Sequence, residues 1–399
     1  MSRDRPIGLG VVGFGWMGRV HATSYRRLAE HFPELGVRPR LIIAADGNPE
    51  RRHQAARLGF DATTDDWRAV VAHPDVEAIS VTVPNHMHRD VAVAAIEAGK
   101  HVRVEKPVGR GVDDTEAVAS AARRHGVMTT VGFCYRLAPA IQHARALIRS
   151  GTIGEVTHYR GTFLADYANR PDAGASWRFL RTHAGSGVLG DLLAHVVDTA
   201  HYLVEPIDRV TGRAATMIAR RPRLRVGEGT HFSRLVTDDL VDVENEDWAG
   251  ALFQFAGGTH GSLEASRVIA GPRVGMSVEV YGSLGALRWD LERMNELQRA
   301  QLSDDGDEGY TTILVGPEHP DFGAFQPGAG IAMGYDDLRV IEARTFLSSV
   351  LDGVQRQPGV DEMLDCAHVL DAIERSSASG AWESTGIAAQ PELVTARVP

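Results

Sequence analysis

Short apolar runs alternate with amphipathic stretches through the first third of the chain. Ile7–Val12 (IGLGVV), Arg40–Ala45 (RLIIAA), Ala78–Val83 (AISVTV), His101–Glu105 and Met128–Phe133 are short and apolar, the pattern of strands buried on both faces. Between them, 17–30, 50–58, 67–72, 89–98 and 113–124 carry apolar residues at helical spacing, and Gly99 closes the fourth. Strands alternating with helices predict a doubly wound parallel sheet. The pattern changes near Arg136. Helices are expected at 139–150 and 187–203, and strands at 156–165, 210–220, 248–255, 261–268, 277–282, 286–289 and 297–302. Turns such as Ala256-Gly257-Gly258 and Gly282-Ser283 join consecutive strands, which predicts a mainly antiparallel sheet. Helices return at 337–352 and 361–379, and the long loops are expected at 221–239 and 304–330.

The expected architecture is therefore α/β. A Rossmann domain over 1–135 is expected to be followed by an α+β domain over 136–399 with a large, open-faced, mainly antiparallel sheet. A chain of 399 residues has room for two domains. The formal charge of −10 argues against a nucleic-acid partner, which needs a surplus of Lys and Arg. Two cysteines, Cys134 and Cys366, are too few for a disulfide framework, and a reducing, cytoplasmic setting is expected. The apolar run after the basic N-terminal residues is short and Gly-rich, unlike a signal peptide, and no run reaches the ~18 residues of a membrane span.

The first strand ends in Gly13-Phe14-Gly15-Trp16-Met17-Gly18, a G-x-G-x-x-G placed between strand and helix. The first glycine makes the tight turn, the second admits a pyrophosphate, and the third lets helix and sheet approach. The helix N-terminus then offers amides and positive dipole to phosphate. Asp46 ends the second strand, where a carboxylate binds the ribose hydroxyls of NAD and repels the 2′-phosphate of NADP. The insertion around His31-Phe32-Pro33-Glu34 explains its distance from the glycines, and Arg51 and Arg52 leave some NADP use open. NAD is the expected cofactor. Asp191 and His195, four apart on an expected helix, share a face.

Val83-Pro84-Asn85-His86-Met87-His88, Val104-Glu105-Lys106-Pro107 and the run Gly185–Asp198 (GSGVLGDLLAHVVD) resemble the glucose–fructose oxidoreductase / inositol dehydrogenase family, Gfo/Idh/MocA. Ser176–Phe179 (SWRF), Glu292–Gln298 and Gly334-Tyr335 look like its glycoside dehydrogenases. The resemblance implies a catalytic set of Lys106, Asp191 and His195. Lys106 would steady a developing alkoxide, His195 would accept the hydroxyl proton near neutral pH, and Asp191 would orient the substrate. It also implies that Pro84, Asn85, His88, Glu105, Lys106, Trp177 and Arg178 meet or support the cofactor, and that Tyr135, Asp166 and Tyr335 are candidate substrate contacts. Asp198 would stand behind His195. The family often has Asn where this chain has Cys134. No metal is expected, although Asp191, His195, Asp198 and His201 could be drawn as ligands. The implied reaction interconverts a ring secondary alcohol and ketone of a sugar, a glycoside (aminoglycosides included) or a cyclitol. Two alternatives stay open: a silent dinucleotide- and sugar-binding regulator, and a same-fold reductase of a non-sugar substrate. The alternating apolar residues of Ala249–Phe255 (AGALFQF) and Ser277–Tyr281 (SVEVY) suggest an uncovered sheet face, and the resemblance implies a homodimer or homotetramer through it.

Overall fold

The computed structural model describes residues 4–224, 237–303, 306 and 308–387. Parts of both expected long loops, 225–236 and 304, 305 and 307, lie outside the described residues. The chain forms two compact units. The first comprises residues 1–134, 182–185 and 334–364; the second comprises 135–181, 186–333 and 365–399.

In the first unit the elements are β1 (Arg5–Val12), α1 (Trp16–His31), β2 (Val37–Ala45), α2 (Pro49–Leu58), β3 (Ala62–Thr64), α3 (Trp67–Ala72), β4 (Ala78–Val81), α4 (Asn85–Glu97), β5 (His101–Val104), α5 (Val112–His125) and β6 (Thr129–Val131). Among the described residues, the six strands pair in the order β3-β2-β1-β4-β5-β6, all parallel. This is the expected doubly wound sheet. Ile7, Leu9, Val11, Ile79, Val81, Val102 and Val104 are buried, which is why these strands read as apolar runs. The reversal of strand order between β1 and β4 puts the Gly-rich loop at the C-terminal edge of the sheet, where such folds bind ligands.

The second unit begins with α6 (Pro139–Arg149) and β7 (Val156–Ala165); α7 (Arg181–Ala184) belongs to the first unit except for Arg181, and α8 (Ala194–Leu203) to the second. Its strands are β8 (Ile207–Ala215), β9 (Arg220–Pro222), β10 (Leu240–Asp242), β11 (Trp248–Phe255), β12 (His260–Ser266), β13 (Val274–Gly282), β14 (Gly285–Asp290), β15 (Glu296–Gln301) and β16 (Thr311–Leu314). After these come α9 (Tyr335–Asp352), whose Gly334 cap and body belong to the first unit, α10 (Val360–Ser379) and β17 (Glu383–Ser384). The large sheet runs β16-β15-β14-β13-β7-β12-β11-β8-β17 and is antiparallel except where β12 meets β7.

Three expectations need correction. The helix expected over 187–203 opens as a π-helical turn, Leu189–Leu193, before α8 begins. The strand expected over 210–220 ends at Ala215, and Arg220–Pro222 pairs separately with Leu240–Asp242. The loop expected over 304–330 contains β16 and a short 3-10 turn, Phe322–Ala324.

The apolar alternation of β11 and β13 points one way. Ala249, Ala251, Phe253, Phe255, Met276, Val278 and Val280 are buried on the face that α6 and α8 cover. The opposite face is mixed: Leu252 is 57% exposed, with Arg160, Thr162, Trp248 and Glu264 around a shallow trough of about 480 Å³. Among the described residues this opposite face is uncovered and less apolar than the sequence pattern suggests, because the alternation puts its apolar residues on the covered side.

Candidate active site

The cofactor loop follows from steric need. Gly13 has φ of +89°, and a Cβ there would stand 2.8 Å from the backbone of Thr82. A Cβ on Gly18 would stand 2.1 Å from the carbonyl oxygen of Gly13. Gly15 caps α1 and brings no side chain to the helix N-terminus. The Asp46 carboxylate accepts hydrogen bonds from the Phe14 amide (2.7 Å) and the Asn48 amide (2.8 Å), so it sits beside the loop despite its distance in sequence. Arg51 Nη1 lies 3.5 Å from it. A cradle that any Cβ would fill, a helix N-terminus without a side chain and an adjacent carboxylate fit a dinucleotide.

Asn85 donates to the carbonyl of Ala184 (3.0 Å) from the first turn of α4, whose N-cap is Pro84. His88 is buried, and its ring bridges the carbonyl oxygens of Pro107 (2.8 Å) and Val83 (2.7 Å). It therefore fastens the loop after β4 to the loop that carries Lys106, a supporting place. The Lys106–Pro107 peptide is cis. His86 packs edge-on against His183, with ring centroids 4.6 Å apart, and burial lowers its pKa with His183 and Arg110 adding to the effect.

Glu105 does not face solvent. It accepts from His21 Nε2 (3.0 Å) and from Arg339 Nη1 (2.9 Å). Burial alone would raise its carboxyl, but Arg339 and His21 outweigh burial and hold it below the carboxylate range. Glu342 accepts from Arg103 Nε (2.7 Å) and Arg339 Nη1 (2.9 Å), also out of solvent. His21, Glu105 and Glu342 lie close enough to share a metal ion. The two guanidinium groups already balance the two carboxylates, and a further cation would be repelled. Cys134, in the same region, is buried, and its thiol is pushed up to about 12 by burial, so it stays protonated and unreactive near neutral pH.

Burial, and then Arg103, lower the His21 ring to about 4 against the opposing pull of Glu105. A histidine held neutral in the fold binds its proton only after unfolding. Stability is therefore complete above pH 6.5 and is lost as pH falls from 6.5 toward 4. The expected loss between pH 7 and pH 5 is about 2 kcal/mol, read as a lower urea midpoint. His21→Gln should flatten that dependence; an unchanged pH dependence in the variant would place its origin elsewhere.

In the second unit the π-helical turn carries Asp191 and α8 carries His195. Tyr167 donates to Asp191 Oδ2 (2.7 Å), and Arg178 Nη1 lies 3.5 Å from Asp191 Oδ1. Burial, then Asp191 itself, keeps the Tyr167 phenol protonated, a permanent donor to that carboxylate. Tyr167 escaped the sequence reading, although its place beside Asp166 at the end of a long strand could have flagged it. Arg178, expected at the cofactor, stacks over Trp177 at 4.6 Å and reaches Asp191. His195 is 5% exposed and lies against the ring of Tyr135, with centroids 4.6 Å apart, and near Phe163. Asp198 is held by Arg136, whose Nε and Nη2 both donate to its carboxylate. Asp166 is ion-paired with Arg273. Tyr335 sits with the first unit, its ring stacked on Trp16 at 5.6 Å.

A glycine cradle beside a carboxylate at the end of the second strand defines the class, a dinucleotide-binding Rossmann protein. Residues 7–133 match the oxidoreductase family with an NAD-binding Rossmann fold, and residues 141–288 match the GFO/IDH/MocA C-terminal domain. The chain belongs to the GFO/IDH/MocA oxidoreductase family, and its cofactor is NAD. It is 35% identical to levoglucosan dehydrogenase of Pseudarthrobacter phenanthrenivorans, over 94% of this chain and 97% of the relative. It is 28% identical to the NAD-dependent scyllo-inositol 2-dehydrogenase of Bacillus subtilis, over 66% of this chain and 68% of that protein. The solved structure of levoglucosan dehydrogenase with NADH and levoglucosan superposes with a TM-score of 0.90 at 33% identity, covering 96% of this chain and 100% of the other.

Proposed function

We propose that the protein is an NAD-dependent dehydrogenase that interconverts a ring secondary alcohol and the corresponding ketone in a sugar, glycoside or cyclitol. The observation that carries this reading is the anchored Asp191 carboxyl group, four positions before His195 where the π-helical turn runs into α8. Asp191 accepts from Tyr167 and lies beside Arg178, and His195 is walled by Tyr135 and Phe163. A nicotinamide dinucleotide held by Gly13, Gly15, Gly18 and Asp46 would supply the hydride acceptor for oxidation of the carbinol carbon and the hydride donor for the reverse reaction. His195 accepts the hydroxyl proton, and Lys106 donates a hydrogen bond to the oxygen as its charge grows. Asp191, already accepting from Tyr167, keeps acceptor capacity for a neighbouring hydroxyl, which selects vicinal polyols over simple alcohols. Asp166, Tyr135 and Arg178 supply further polar groups on the same unit. The presence of Lys106, Asp191 and His195 together argues against a silent regulator, and the polar groups Asp166, Tyr167, Arg178 and Asp191 on the second unit favour a polyol over an apolar substrate.

Incubating the protein with a panel of anhydrosugars, glycosides and cyclitols and following NADH absorbance tests the reading. Levoglucosan belongs in the panel because a relative is named for it. Turnover is expected with at least one vicinal polyol, with kcat/KM higher for NAD than for NADP because the Asp46 carboxylate beside the Gly-rich loop would repel a 2′-phosphate. Turnover confined to apolar ketones would overturn the reading. No helix among the described residues is long and apolar enough to cross a membrane; the proposed cytoplasmic setting rests on the two buried, unpaired cysteines. The uncovered sheet face around Leu252 and Trp248 supports a homodimer or homotetramer. Light scattering should give at least twice the 43.2 kDa of one chain. A monomer mass would refute it.

A further inference from the structure

Arg339 is 2% exposed and lies on α9, far in sequence from the strands it serves. Each of its guanidinium nitrogens is engaged. Nη1 meets Glu105 (2.9 Å) and Glu342 (2.9 Å), while Nε (3.0 Å) and Nη2 (2.5 Å) both donate to the Tyr335 hydroxyl. Its backbone carbonyl accepts from Arg103 (3.2 Å). We infer that Arg339 is a positioning residue that acts through Glu105 on Lys106 and through Tyr335 on the Gly-rich loop. The inference rests on the role proposed above for Lys106.

The first arm is short. Glu105 immediately precedes Lys106, and its side chain has little room to move, since a Cβ on Gly132 would lie 2.7 Å from both carboxylate oxygens. With Arg339 on one side and His21 on the other, Glu105 is pinned, and the peptide that leads to Lys106 is pinned with it. The second arm runs outward. With its hydroxyl oxygen accepting from Arg339, Tyr335 turns its own proton toward Met17 Sδ (3.7 Å), and its ring stacks on Trp16 at 5.6 Å and 21°. Trp16 is 62% exposed and opens α1 inside the glycine motif. A network built only for stability has no need to end on an exposed aromatic of the cofactor loop. This one joins the loop that receives the pyrophosphate to the residue beside the catalytic lysine.

Lysine cannot reproduce the connection. Its ammonium is a point donor on a flexible stem, whereas the guanidinium spans Glu105 and Tyr335 in one plane. Arg339→Lys keeps the buried charge balance, which Arg339→Met would not. In Arg339→Lys, NADH affinity read by cofactor fluorescence should weaken about 5- to 10-fold, and kcat at saturating cofactor should fall about 10-fold with substrate KM little changed. Tyr335→Phe should weaken NADH binding by about 3-fold or more, and the double variant should be no weaker than Arg339→Lys alone, because both act on one line of contacts. A folded Arg339→Lys variant with unaltered NADH affinity and kcat overturns the inference, as do additive effects in the double variant. If Arg339→Lys does not fold, Tyr335→Phe decides, and unchanged NADH affinity in it overturns the cofactor arm. The NADH titrations involve no turnover, so they stand or fall separately from the role of Lys106.

Discussion

Lys106→Ala should lower kcat by a factor on the order of 10²–10³ at saturating substrate and cofactor, with NADH affinity changing far less. The size follows from where the charge develops. In the proposed chemistry the substrate oxygen becomes anionic before His195 has fully carried its proton away. A single preorganised donor to such an oxygen is worth about 3–4 kcal/mol in a site shielded from water. The backbone on either side of Lys106 is held: Glu105 behind it by His21 and Arg339, and the Pro107 carbonyl ahead of it by His88. Steady-state kinetics on the substrate found by the panel, together with an NADH titration, make the comparison. Turnover within a few-fold of the parent protein would remove Lys106 from the mechanism. Loss of NADH binding in parallel with kcat would instead make Lys106 a cofactor ligand.

The Gly-rich loop and the carboxylate beside it were legible because their demands are local. A glycine is needed where a Cβ collides, and the collisions at Gly13 and Gly18 involve backbone that any strand–loop–helix of this kind supplies. Asp46 could be placed because the end of the second strand has a fixed position beside that loop. The elements that were missed have no burial signal to read. β3 is three residues with two of them exposed, and β16 is an edge strand with exposed threonines, so neither shows an apolar run. The π-helical turn at Leu189–Leu193 escaped because its apolar residues also satisfy the 3.6-residue period. The supports of the site were illegible for a different reason. Tyr167 finds Asp191 24 positions away, and Arg103 finds Glu342 across 239 positions. Pairs of that kind are set by topology, and no local pattern records them. Tyr335 illustrates the cost: a motif places it near the site, but only the fold shows that it lies against the cofactor loop.

Gly18→Ala should weaken NADH binding at least about 100-fold, equivalent to roughly 2.7 kcal/mol. Gly18 lies in the first turn of α1, where its own backbone geometry is ordinary, so intrinsic strain is not the cause. The cause is contact. The added methyl would stand 2.1 Å from the Gly13 carbonyl oxygen and 3.2 Å from Thr82 Oγ1. Neither neighbour can yield cheaply. Gly13 is held by its amide on the Ala45 carbonyl (2.8 Å), and Thr82 is tied to the carbonyls of Val12 and Gly13. The helix must therefore back away from the sheet, which carries its first amides out of reach of a pyrophosphate seated on Gly13 and Gly15. Gly328→Ala is the matched control, since a Cβ there meets nothing within 4 Å. Circular dichroism should show both variants folded, and NADH fluorescence titration should separate them. If Gly18→Ala binds NADH within about 3-fold of the control, the close approach of α1 to β1 is not what shapes the phosphate site.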